Sequence, residues 1–133
     1  MQNLERYTPY TLAALRISTA LIFMAHGTQK LFAFPAASER GSPPLMSLMG
    51  VGGVLEFVGG VLILLGLFTR PTAFVLSGMM AVAYWMFHAP SSVYPILNGG
   101  DAAILYCFVF LLLVTTGPGA WSLDGMRKGK LAS

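Results

Sequence analysis

GVGGVLEFVGGVLILLGL, residues 50–67, places one charged side chain, Glu56, in a run long enough to cross a bilayer as a helix. An ionised carboxylate is costly in hydrocarbon unless it is paired, protonated or turned toward a polar interior. Gly52, Glu56, Gly59 and Gly60 recur at spacings of three and four, so a helix gathers them on one face. Gly66 closes the run. Small residues on that face let a neighbouring helix approach closely. The stretch therefore predicts a transmembrane helix with a packing role for its glycines and a carboxylate aimed at groups on other spans.

Working outward, the whole chain has the same character. Its 133 residues are 56% hydrophobic and 10% charged, where soluble domains carry about 25% charged residues. Mean hydropathy is +0.71. Such a chain cannot cover a soluble surface with polar groups, and an all-α integral membrane protein of one domain follows. Eight basic residues against five acidic ones, scattered rather than clustered, exclude a nucleic-acid footprint. The lone Cys107 gives neither an internal disulfide nor a dithiol pair. Gly50, Gly52 and Gly53 follow no strand, so they are a packing signal and not a dinucleotide fingerprint. The eight methionines and the Tyr84–Trp85 pair read as core and interface filling. Arg16 interrupts the first apolar run, which is also too long for a signal peptide, so that run is expected to be a retained span.

Four spans are expected at about 10–34, 45–67, 72–87 and 100–116, in a four-helix bundle. Pro-rich and Gly-rich loops lie at 35–44 and 89–99, and Gly117-Pro118-Gly119 ends the last span. Four spans put both termini on one side. Arg6, Arg16, Arg70, Arg127, Lys128 and Lys130 fall on or near that side, against Lys30 and Arg40 opposite, which predicts cytoplasmic termini.

Depth along the helices then brings polar groups together. At about 1.5 Å per residue, His26 and Glu56 both lie roughly 12 Å from the outer surface, and Lys30 roughly 6 Å. Gln29 sits beside Lys30, while His88, Asn98 and Asp101 mark the outer mouth. His26 and Glu56 are candidates for proton transfer; Gln29, Lys30, His88, Asn98 and Asp101 are candidates for ligand binding. Arg16 lies near the inner end and is expected to anchor structure or snorkel to headgroups. Two histidines without close ligand spacing, beside a lysine, make a poor metal or haem site, and none is expected.

The segments His26-Gly27-Thr28-Gln29-Lys30, Glu56-Phe57-Val58-Gly59-Gly60, Gly66-Leu67-Phe68-Thr69-Arg70, Asn98-Gly99-Gly100-Asp101 and Gly117-Pro118-Gly119 together resemble the DoxX family over nearly the whole chain. The residue after Asn-Gly-Gly is frequently glutamate in that family and is Asp101 here. The resemblance implies a small four-helix protein of the bacterial inner membrane. In some relatives it implies association with redox machinery, including a thiosulfate:quinone oxidoreductase subunit and complexes that handle oxidative and thiol stress. The expectation is a membrane subunit or accessory of a redox system that binds a small ligand, with a quinone as the candidate, beside a redox partner protein. The chain itself carries no cofactor-binding motif. The alternatives are a non-catalytic scaffold or assembly module, or a small-molecule transporter acting as a homodimer.

Overall fold

The computed structural model describes residues 2–36, 41 and 43–132, and all the regular secondary structure it describes there is helical. The expected outer position of Arg40 lies outside the described residues. After a 3-10 turn at Gln2–Tyr7 come α1 (Thr8–Phe32), α2 (Leu48–Leu65) and α3 (Thr69–Ala83). A π-helical turn, Tyr84–His88, and a 3-10 turn, Ala89–Ser91, extend α3. Then come the single-turn α4 (Pro95–Asn98), α5 (Asp101–Thr116) and α6 (Leu123–Ala132). Asn3–Phe32, Leu48–Leu65 and Thr69–Ser91 are long and apolar enough to span a bilayer, whereas α5 is apolar but has only 16 residues.

The helix ends have local causes. Ser47 caps α2, its hydroxyl accepting the Gly50 amide at 3.1 Å, so the helix begins at Leu48 and not at Leu45 as expected. At the other end Gly66 adopts φ +66°, and its amide and that of Leu67 return to the carbonyls of Ile63 and Leu62. A side chain at Gly66 would also strike Ser122 and the Arg16 guanidinium. α3 begins at Thr69, ahead of the expected 72. Asp124, far along the chain, accepts both the Phe68 and Thr69 amides at 2.9 Å and so stabilises the first turn.

Hydrogen bonds fix how the four apolar helices run. The Ala120 amide donates to Pro9 at the start of α1, and the Asp124 amide donates to Gly66 at the end of α2. Arg70, at the start of α3, donates to the carbonyls of Val114 and Thr115 at the end of α5, at 2.8 and 2.7 Å. One end of the molecule therefore gathers the starts of α1, α3 and α6 with the ends of α2 and α5, and successive helices alternate in direction. At this closed end Ala20, Phe23, Ile63, Ala73, Leu76, Phe110 and Leu113 form a tight core. Phe23 meets Phe110 and Tyr106 edge-on, with ring centroids 5.0 and 5.3 Å apart. In lipid this packing contributes through close contact and not through release of water.

Arg16 belongs to the same end, where it holds structure and does not anchor to lipid. It is 0% exposed and does not snorkel. Its guanidinium donates to the carbonyl of Pro118, to that of Ala120 at 3.1 Å and to that of Trp121 at 2.8 Å. A planar fork spreads its donors over two terminal nitrogens and so reaches three carbonyls along one curved loop. The residue ties the chain after α5 to α1.

Candidate functional site

The open end is shaped by two helix pairs. α1 packs on α2 and α3 packs on α5 much more extensively than α2 packs on α3. α1 and α2 approach so closely because Gly27 faces the backbone of α2 and Gly53 faces the Lys30 side chain. A Cβ at Gly27 would lie 2.7 Å from the Phe57 nitrogen and 2.8 Å from the Gly53 oxygen, and one at Gly53 would lie 3.1 Å from the Lys30 Cβ. This crossing lays Lys30 over α2, where its Nζ donates to Glu56 Oε1. The lysine side chain is 24% exposed and the glutamate 6%. The buried carboxylate is thus paired, but with Lys30 and not with the expected His26. The long lysine stem spans the difference in depth that the residue count implied.

α2 and α3 meet where Gly59 receives Leu76, whose side-chain atoms come within 2.8–3.2 Å of a Cβ built there. Beyond that crossing they separate around a cavity of about 730 Å3. The Lys30–Glu56 pair forms part of its wall, with His26 from α1, Tyr106 from α5 and His88 from the π-helical turn. The remaining wall is mainly apolar and includes Phe23, Leu55, Met79, Met80 and Met86. A cavity of this size, apolar with a few convergent polar groups, has the form of a small-molecule site.

Each polar group has a definite place. His26 is exposed toward the cavity side and meets the Tyr106 ring edge-on at 6.0 Å. His88 Nδ1 lies 3.0 Å from the Asn98 carbonyl oxygen, which fixes the ring at the mouth. Asn98 is buried and braces the loop. Its amide donates to Ser92 at 3.0 Å and to the Tyr84 hydroxyl at 3.2 Å, and its oxygen accepts the Gly100 amide at 2.8 Å. Two expected ligand-binding residues do not face the cavity. Gln29 is rotated about 100° around α1 from Lys30, and Asp101 is exposed in the first turn of α5, where only the following Ala102 and Ala103 turn inward. A carboxylate in that first turn suits the helix amino end.

Sequence reasoning missed Tyr106 and the wall methionines Met79, Met80 and Met86. A lone phenol midway along an otherwise apolar span was the available signal. The methionines gave none, because a core methionine and a cavity methionine read alike.

Apolar helices that alternate in direction, closed at one end and holding an ion pair beside a cavity at the other, define a polytopic integral membrane protein. The DoxX profile matches residues 11–89, and the chain belongs to the DoxX family. It is 46% identical over 128 residues to an uncharacterized protein of Haemophilus influenzae, covering 93% of this chain and 96% of that one. It is 31% identical to inner membrane protein YqjF of Escherichia coli, over 86% of this chain and 90% of the relative. To inner membrane protein YphA of the same organism it is 33% identical, over 87% and 89%. No solved structure matches the chain significantly. The protein is a multi-pass protein of the bacterial inner membrane.

Proposed function

We propose that the chain is a four-span bundle with cytoplasmic termini, serving as the ligand-binding membrane subunit of a redox system. Its ligand is a small oxygen-bearing molecule of the quinone class, held in the cavity of the outer half. The observation that carries this reading is the Lys30–Glu56 pair, an ion pair set in the wall of a largely apolar cavity. Pairs that only hold helices together can be sealed between them; this one borders open space. The closed end, with Arg6, Arg70, Arg127 and Lys128 near it, supports the inward placement of the termini. α5, though short, alternates with its neighbours and supports a fourth span.

A quinone, when bound, takes up two electrons and two protons. Lys30 supplies a cationic donor for a ring oxygen, and Glu56 holds that ammonium in place. His26 and Tyr106 offer groups that give or accept a proton on the same wall. Electrons come from a partner protein, since no cofactor motif is present in the sequence.

The test is equilibrium binding of a soluble benzoquinone to the purified full chain and to Glu56→Gln and Lys30→Gln. The reading predicts saturable binding that both variants weaken by about tenfold while remaining folded. Variants that bind as well as the parent refute it. Variants that lose only stability, around a parent that binds nothing, establish the scaffold reading instead.

A further inference from the structure

The glycines of α2 do not all serve packing. Gly53, Gly59 and Gly60 lie against Lys30, Leu76 and Met24, whose side chains leave no room for a Cβ. Gly52 differs: a Cβ there meets nothing nearer than Glu56 Oε1, at 3.9 Å, and the position lines the cavity. Glycine weakens a helix relative to alanine, and here no neighbouring helix needs the room. What the missing side chain leaves free is space beside the buried carboxylate. The sequence grouped Gly52 with the packing glycines; the structure separates it from them.

The direction of the opening is the second observation. Val51 and Leu55 on α2, with Val82 on α3 and Met86 on the turn beyond it, line the cavity and are yet 40–56% exposed on the outside. They are the two lips of a gap between helices that have separated above the Gly59–Leu76 crossing. The lips are apolar, and they face the side of the bundle, which the bilayer surrounds. The polar groups, His26, Lys30 and Glu56, stand on the inner wall.

We infer that the ligand is a tailed amphiphile that enters sideways from the bilayer between α2 and α3. Its oxygen-bearing head occupies the space that Gly52 leaves beside Glu56, and its chain rests between Leu55 and Met86. This rests on the ligand-binding reading above and adds the ligand's shape, its route and the residue that sets the size of its head. A head without a chain fits the polar wall but leaves the apolar lips to lipid.

The test uses the full chain in lipid nanodiscs and a benzoquinone bearing a decyl chain with a diazirine near its end. Photolysis is expected to place adducts on Val51, Leu55, Val82 or Met86. Gly52→Phe is expected to weaken binding of the probe by about tenfold with unchanged thermal stability. Leu55→Trp, which narrows the gap without touching the head space, is expected to weaken the tailed probe more than the tail-less one. Adducts confined to residues 89–99, or equal affinity of both probes for parent and Gly52→Phe, overturn the inference while leaving quinone binding intact. A parent chain that retains neither probe overturns the ligand-binding reading itself, and the lateral site with it.

Discussion

Replacing Arg16 with methionine keeps an unbranched apolar stem and removes the guanidinium, and with it the clamp between α1 and the loop after α5. The guanidinium is fully buried and serves three carbonyls, those of Pro118, Ala120 and Trp121. Hydrogen bonds from a charged donor contribute about 1.5–3 kcal/mol each, but Trp121 is exposed and its carbonyl can turn to water once released. Desolvation of the guanidinium offsets part of the remainder. The expected net loss is about 3 kcal/mol for Arg16→Met. Arg16→Lys should lose about half as much, because the charge stays but a single nitrogen on a shorter stem replaces the two terminal nitrogens that reach the loop. Equilibrium unfolding in mixed detergent micelles gives the free energies, and proteolysis of the 117–122 loop reports the local release. An Arg16→Met protein within about 0.5 kcal/mol of the parent, with that loop equally protected, would refute the clamp.

The other predictions follow from single contacts. A double-mutant cycle on Lys30→Met and Glu56→Gln should give a coupling of about 1–2 kcal/mol, moderated by the partial exposure of Lys30; additive losses would mean the pair contributes nothing to folding. Burial pushes the Asp124 carboxyl up, but the amide hydrogen bonds from Thr69 and Phe68 and the charge of Arg127 outweigh it, holding the group below the ordinary 3.8. A depressed carboxyl stabilises the fold above the ordinary value and loses that contribution as pH falls through the native one. Thermal scans between pH 6 and pH 3 should therefore show an acid-dependent loss that shrinks in Asp124→Asn, and an identical pH profile would exclude this role. In an alanine series, Gly27→Ala should cost about 2–3 kcal/mol, because its Cβ meets the backbone of α2. Gly52→Ala should be tolerated, and Gly78→Ala, with nothing within 4 Å, should gain about 0.5 kcal/mol.

The helical membrane character was legible because composition and apolar run length register it residue by residue. Glu56 stood out for the same reason, as a single charge among eighteen residues of hydrocarbon and glycine. Its partner was harder to read. Counting depth at 1.5 Å per residue matches Cα positions, and it paired Glu56 with His26; the lysine stem reaches well beyond its own Cα and makes the pair instead. Helix face was lost in the same way for Gln29 and Asp101, each one residue from positions that do face the cavity. Arg16 left a structural and a snorkelling role open because its acceptors lie more than a hundred positions away along the chain. Asp124 at the start of α3 is another contact of that kind. The glycines of α2 shared one periodic signal, and only their neighbours distinguish Gly52, which borders the cavity, from Gly53, Gly59 and Gly60, which are filled.

The most direct test of the account is native mass spectrometry of the full-length protein extracted in mild detergent from its own membrane, with the released small molecules identified. The account predicts a stoichiometric quinone that is retained by the parent and lost in Glu56→Gln. A parent that is repeatedly free of any small molecule, as monomer or homodimer, would contradict it.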